Sequence, residues 1–237
     1  MTLVLEVQQL KKRFVLHHRD GASLSVIAGL SLQVHRGECI ALHGQSGRGK
    51  STLLRCLYGN YRVDAGRVLL HQQNNVTDLA RATPRTMIEL RRSRIGYVSQ
   101  FLRALPRVAA IDVVAEPLVA KCHDLARLSE EQHAQAWQQA RTEAAVLMER
   151  LKLPSSLWPL PPSTFSGGEQ QRINVARGLI KQPGLLLLDE PTASLDESNR
   201  QRVVELIQEA KQAGVAIVGV FHDEHVRDAV ADRLVEI

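Results

Sequence analysis

This sequence predicts an α/β fold with a parallel central sheet, and three observations carry that reading. Short apolar runs at 39–42, 185–188 and 216–221 have the length and bulk of strands buried on both faces. Segments of helical periodicity separate them, and strands alternating with helices build parallel sheets. Between 101 and 165 the texture becomes helical, which predicts an inserted helical subdomain. The expected layout of the 237 residues is one domain, with a core at 1–100 and 166–237, an antiparallel β-subdomain near the N-terminus, and a helical subdomain at 101–165.

The elements follow in order. Residues 3–7 read as a strand, Asp20-Gly21 as a hairpin-type turn, and 24–34 as a strand whose alternation shows at Leu30, Leu32 and Val34. The run 39–42 feeds a glycine-rich loop, after which a helix from Lys50 to about Tyr58 stops at Gly59-Asn60. Strands are expected at 68–71 and 95–99. Ser129 and Gln132 form a capping box, and behind it Trp137, Ala140, Ala144, Leu147, Met148 and Leu151 recur at helical spacing as a packing face. Pro154, Pro159, Pro161 and Pro162 make a stiff connector back to the core. A helix at 168–181, the strand 185–188 and a helix capped by Asp196 come next, the last burying Val203, Leu206, Ile207 and Ala210 and ending at Gly214. A strand at 216–221, a short helix and a short strand finish the chain.

Composition narrows the function. Hydrophobic residues make up 44%, enough for a sizeable core. The net charge of +5 permits anionic partners without choosing one. The basic clusters, Lys11-Lys12-Arg13 and Arg91-Arg92 with Arg94, read as solvated faces. Aromatics at 4% argue against stacking platforms for nucleic acid. Cys39, Cys56 and Cys122 lie scattered, without metal-ligand spacing, which fits a reducing cytosol. The start carries no signal-peptide pattern. The longest apolar runs, 185–188 and 215–221, are far short of the ~18 residues of a membrane span. The expectation is a cytoplasmic protein that does not itself insert into a membrane.

Three motifs carry chemistry. Gly44-Gln45-Ser46-Gly47-Arg48-Gly49-Lys50-Ser51 fits G-x-x-x-x-G-K-[ST], with Thr52 next in the helix. Its glycines let backbone amides close around phosphate oxygens, and the helix behind aims its N-terminal amides at the same charge. Lys50 supplies a point charge for the β- and γ-phosphates, and the Ser51 hydroxyl is placed to ligate Mg²⁺. Second, four leucines end in Asp189-Glu190, a buried strand opening on a ligand crevice. Asp189 is the expected Mg²⁺ carboxylate and Glu190 the general base. Third, Ser166-Gly167-Gly168-Glu169-Gln170-Gln171-Arg172 places two glycines and a hydroxyl at a helix N-terminus, either as a second anion site or as a simple N-cap.

That third motif resembles the signature of ATP-binding cassettes, with Phe165 where leucine is usual and Glu169 where glutamine is usual. The resemblance spans the chain with every motif in order. It implies an ATPase that binds ATP and Mg²⁺. Gln100 resembles the loop glutamine that senses Mg²⁺ and couples the helical subdomain to the core. Ser194-Leu195-Asp196 resembles the loop crossing the dimer seam, and His222 the histidine that contacts the γ-phosphate. Phe14 resembles the aromatic that stacks on adenine, core packing being the alternative. In such proteins the P-loop of one subunit faces the signature of another, so the implied partner is a second copy or a sister cassette.

Local wording carries a narrower resemblance. Val98-Ser99-Gln100-Phe101-Leu102-Arg103, the stretch around Ser166, and Val220-Phe221-His222-Asp223-Glu224 look like the L subunit of the bacterial carbon–phosphorus lyase system. So do the openings at 14–18 and 53–61. This implies a role in phosphonate catabolism, with the lyase core complex as partner and no bond cleavage by this chain beyond ATP hydrolysis. The alternative is the nucleotide-binding subunit of a transporter of the lipoprotein-export kind, which shares the glutamine-loop phrasing. Nucleic-acid cassettes usually carry two cassettes in tandem or a long coiled-coil insertion, and the expectation here is neither.

Overall fold

The computed structural model describes residues 2–16, 22–73, 75–121 and 129–237. Asp20-Gly21 and Cys122 lie outside the described residues. Two sheets organise the chain. The first is antiparallel, in the order β2-β1-β4-β5, formed by β1 (Leu3–Leu16), β2 (Ala22–His35), β4 (Ala65–Gln72) and β5 (Asn75–Asp78). The second, in the order β6-β7-β8-β3-β9, is parallel throughout: β6 (Ile95–Val98), β7 (Leu185–Asp189), β8 (Ala216–Val220), β3 (Cys39–His43) and β9 (Arg233–Glu236).

The parallel sheet is buried on both faces, and the two-residue period of a strand sorts its side chains. Leu185 and Leu187 of β7 join one core with Ile40, Leu42, Val218 and Val220. The same core takes in Leu53, Leu54 and Leu57 of α1 (Lys50–Leu57) and the inner face of the antiparallel sheet. Leu186 and Leu188 point the other way and pack with Cys39, Ala41 and Ile217 against the helices of the second half. Those helices are α3 (Ala110–Lys121), α4 (Glu130–Arg150), α5 (Gly167–Leu179), α6 (Glu197–Gln212) and α7 (Glu224–Val230).

The α/β expectation is borne out, and the differences from the sequence reading have physical causes. β1 runs to Leu16 rather than stopping near residue 7, because register shifts around a left-handed Gln9 (φ 49°) break its alternation. β5 and α2 (Pro84–Ser93) were not foreseen; α2 buries only Met87 and Leu90, too little to show as a periodic face. Within 101–165 the described helices are α3, α4 and two 3₁₀ turns, Ser155–Leu157 and Pro162–Thr164. Ala140, Ala144, Met148 and Leu151 are buried as the stripe predicts, while Trp137 and Leu147 are half-buried against the same core. The Ser129–Gln132 capping box is formed.

The basic clusters are not simply solvated. Lys12 is only 9% exposed and pairs with Asp64 at 3.5 Å. Arg91 lies over the Tyr58 ring at 4.5 Å and donates to the Tyr58 carbonyl at 3.0 Å. Both cations bury their stems and fasten neighbouring loops. No helix among the described residues is long and apolar enough to cross a membrane.

Candidate functional site

Four adjacent strands of the parallel sheet deliver the predicted residues to one edge. In a parallel sheet all carboxyl ends open on the same side, where ligands bind. β3 ends at His43 and runs into the 44–51 loop; β6 ends at Val98, two residues before Gln100. β7 ends in Asp189 with Glu190 next, and β8 ends at Val220, two residues before His222. Register aligns them: Val98 is opposite Leu188, and Asp189 is opposite Val220.

The loop after β3 has the backbone its glycines require. Gly44, Gly47 and Gly49 sit at φ 142°, 80° and 104°, a region other residues rarely enter. A Cβ on Gly49 would lie 2.7 Å from Val26 Cγ1, whereas one on Gly47 would meet open space. Gln45, Ser46 and Arg48 are exposed around that opening. Gly49 is the N-cap of α1 and offers no side-chain bond to the first amides, in contrast to α2, α4, α5, α6 and α7, which carry side-chain caps. An anion bound there would supply the missing cap. The Lys50 ammonium donates to the carbonyls of Gly44 at 2.7 Å and Gln45 at 2.9 Å, which holds it over the loop. Thr52 follows on α1, half-buried.

Below the loop, Ser51 Oγ donates to Asp189 Oδ1 at 2.8 Å, and the Tyr97 hydroxyl donates to Oδ2 at 3.2 Å. Asp189 is 2% exposed, and among the described residues no cationic side chain pairs with it. A buried carboxylate with only neutral donors, beside a serine hydroxyl, suits a divalent cation with oxygen ligands. Burial and the Asp189 charge push the Tyr97 hydroxyl up to about 12, so it remains a donor at neutral pH.

Glu190 is fixed by its backbone. Its φ is 55°, its amide donates to Val220 at 3.0 Å, and its carbonyl accepts from Gln171 Nε2 at 3.1 Å. The carboxylate accepts from Gln100 Nε2 at 3.3 Å and faces His222 Nε2 at 3.8 Å. The His222 side chain is 82% exposed, so the glutamate lies between an open histidine and an exposed glutamine. A base poised towards solvent in this way can orient and deprotonate a water.

The remaining residues stand apart. No described hydrogen bond joins Ser166, Gly167 or Gly168 to the 44–51 loop. Ser166 caps α5: its hydroxyl accepts from the Glu169 amide at 3.3 Å, and its own amide donates to Glu169 Oε2 at 2.8 Å. The bonds from Ser166 hold the Glu169 carboxyl below its usual range. A Cβ on Gly168 would lie 2.9 Å from the Ser194 carbonyl, so this turn packs against the loop that leads to Asp196. Asp196 caps α6, accepting from the Asn199 amide at 2.8 Å, and that bond lowers its carboxyl. Phe14 meets Tyr61 edge-on at 5.4 Å, with the Lys12 ammonium 5.0 Å from its ring.

Sequence reasoning missed Tyr97 and Gln171 as site residues. Both act across chain distances that only strand register and helix placement reveal, although Tyr97 lies in the expected strand 95–99, three residues before Gln100.

The ABC transporter family model matches residues 27–193. The lipoprotein-releasing system ATP-binding protein LolD of Shewanella sp. (strain MR-7) is 36% identical, over 93% of this chain and 87% of its own length. The macrolide export ATP-binding/permease protein MacB of Syntrophobacter fumaroxidans is 35% identical over 99% of this chain and 30% of its own. In structure, a dimeric bacterial ABC transporter cassette superposes with a TM-score of 0.84 at 25% identity, covering 98% of this chain and 94% of that one. The expected likeness to a carbon–phosphorus lyase subunit finds no support in these relatives; the transporter alternative fits them better. The chain belongs to the ABC transporter family and is an ATP-binding, ATP-hydrolysing cassette of that family.

Proposed function

We propose that this chain is the nucleotide-binding subunit of an ATP-driven exporter of the lipoprotein-releasing kind, and that it works as one half of an ATP sandwich. The observation that carries the ATPase part is the delivery of the 44–51 loop, Gln100, Asp189, Glu190 and His222 by neighbouring strand ends to one edge. Ser51 and Asp189 would hold Mg²⁺, with Gln100 reaching from β6; the cation, when bound, offsets charge on the β- and γ-phosphates. Lys50 and the α1 amides bind the phosphates, Glu190 takes the proton from water, and His222 steadies that water. Phe14 is the residue for the adenine face.

Ser166, Gly167 and Gly168 have no phosphate of their own to meet, which supports a composite site. They would close over nucleotide held by a second cassette, and the bacterial cassette of like structure is dimeric. In that pose the Ser166 hydroxyl turns from Glu169 Oε2, where it now donates at 2.7 Å, towards phosphate. Asp196 lies on the loop beside this turn and would meet the opposite subunit. Loss of the γ-phosphate removes an anion that both halves share, and the halves separate.

Cargo is the finer question. Relatives named for lipoprotein release and for macrolide export stand at 36% and 35% identity, so resemblance supports export through a permease. Affinity purification from the native cell with ATP present tests this. The expected companion is an integral membrane permease; recovery of soluble carbon–phosphorus lyase subunits instead would overturn the transporter reading.

A further inference from the structure

We propose that Tyr97 is a positioning residue for the metal site: its hydroxyl holds Asp189 in the aim that a Ser51–Asp189 cation site needs. The inference rests on the reading of Ser51 and Asp189 as metal ligands.

Each oxygen of the buried Asp189 carboxylate has one hydroxyl donor, Ser51 at 2.8 Å and Tyr97 at 3.2 Å. The two are not equivalent. Ser51 is itself a ligand candidate, so its contact with Asp189 changes when a cation lies between them. Tyr97 stands on the other oxygen and can keep its hold in both states. A phenol has one proton and can point it towards a carboxylate or away from it. A carboxylate oxygen only accepts, so Asp189 Oδ2 at 3.2 Å settles that choice and the phenol donates to it.

The ring has no freedom to swing away. It stacks on Tyr58 with centroids 4.9 Å apart and planes 24° from parallel, and Tyr58 is held in turn by the Arg91 guanidinium at 4.5 Å. The two carboxylate oxygens are therefore held from separate elements, one from α1 through Ser51 and the other from β6 through Tyr97. Loss of such an outer partner typically weakens metal binding ~10–100-fold without touching the ligands themselves.

The test uses Mn²⁺ as the probe, with binding to the full chain followed by electron paramagnetic resonance at saturating ADP. Tyr97→Phe keeps the ring stack and is expected to weaken Mn²⁺ binding about tenfold or more, while ADP affinity measured in EDTA stays at the wild-type value. Unchanged Mn²⁺ affinity in Tyr97→Phe overturns the proposal. Asp189→Asn separates this from the parent reading. If that variant binds Mn²⁺ as the wild type does, Asp189 is no metal ligand; if it loses Mn²⁺ while Tyr97→Phe retains it, only the positioning role fails.

Discussion

Replacing Glu190 by glutamine removes a base while leaving its surroundings in place. The backbone at 190 is tied by bonds that do not involve the carboxylate: its amide to Val220 at 3.0 Å, and its carbonyl to Gln171 at 3.1 Å and to the Ala193 amide at 3.2 Å. The side-chain amide oxygen can still accept from Gln100, now at 3.3 Å, and what is lost is one negative charge 3.8 Å from an exposed His222. For a side chain that is 20% exposed, exchanging one polar acceptor for another shifts stability by about 1 kcal/mol or less. Turnover behaves differently, because an amide cannot take a proton. Removing a positioned base costs ~10²–10⁴ in rate, roughly 3–5 kcal/mol of barrier. Phosphate release at saturating MgATP reads the rate, labelled-ATP binding reads the affinity, and gel filtration with ATP reads association. The expected variant melts like the wild type, binds ATP as well, barely turns over and accumulates as a dimer. Phosphate release at the normal rate would refute Glu190 as the base.

Two further outcomes follow. Lys50→Ala removes an ammonium now held by the loop carbonyls of Gly44 and Gln45, and should weaken ATP binding itself; unchanged affinity by fluorescent-nucleotide titration would count against the phosphate-loop reading. Lys181 predicts a pH dependence of stability: burial holds it at about 8 in the folded chain against the ordinary lysine value of 10.5, with its ammonium on the Ile95 carbonyl at 2.8 Å. Between these values the unfolded chain binds more protons, so this group makes stability rise with pH from about 8 to about 10.5, by about 3 kcal/mol in total, and contributes no slope below pH 7. Denaturant titrations across that window should show a gentler rise, or a steeper fall, in Lys181→Met than in the wild type; identical slopes would contradict the assignment.

How much of this was legible depends on the range of the interaction. β7 and β8 could be read directly, since a strand buried on both faces is a continuous apolar run, and all five residues of each are buried. The phosphate loop and the Asp189-Glu190 pair were legible because their chemistry resides in neighbouring residues. The Ser166 cap was legible as one of two readings, and the structure shows the capping box formed. What the sequence hid were contacts across long separations. Tyr97 reaches Asp189 across 92 positions and Gln171 reaches the Glu190 carbonyl across 19, and neither pairing has a local pattern. β1 was half hidden because Gln8, Gln9 and the Lys11-Lys12-Arg13 run interrupt its apolar residues, although the strand continues to Leu16. Cargo was legible only through wording, and relatives with two different cargoes share this fold at nearly equal identity.

The composite site is the central claim, and mixing two dead variants tests it. Lys50→Ala should disable the phosphate loop of its own chain, and Ser166→Arg should block the turn proposed to close over the other chain's nucleotide. Each variant alone leaves both sites of a symmetric pair broken. A mixed pair carries one site with both faults and one with neither. Combined in equal amounts, the two inactive proteins should recover about a quarter of the wild-type ATPase rate, since half the pairs are mixed and each has one intact site of two. A mixture no more active than its parents, with the wild-type chain active under the same conditions, would contradict the account.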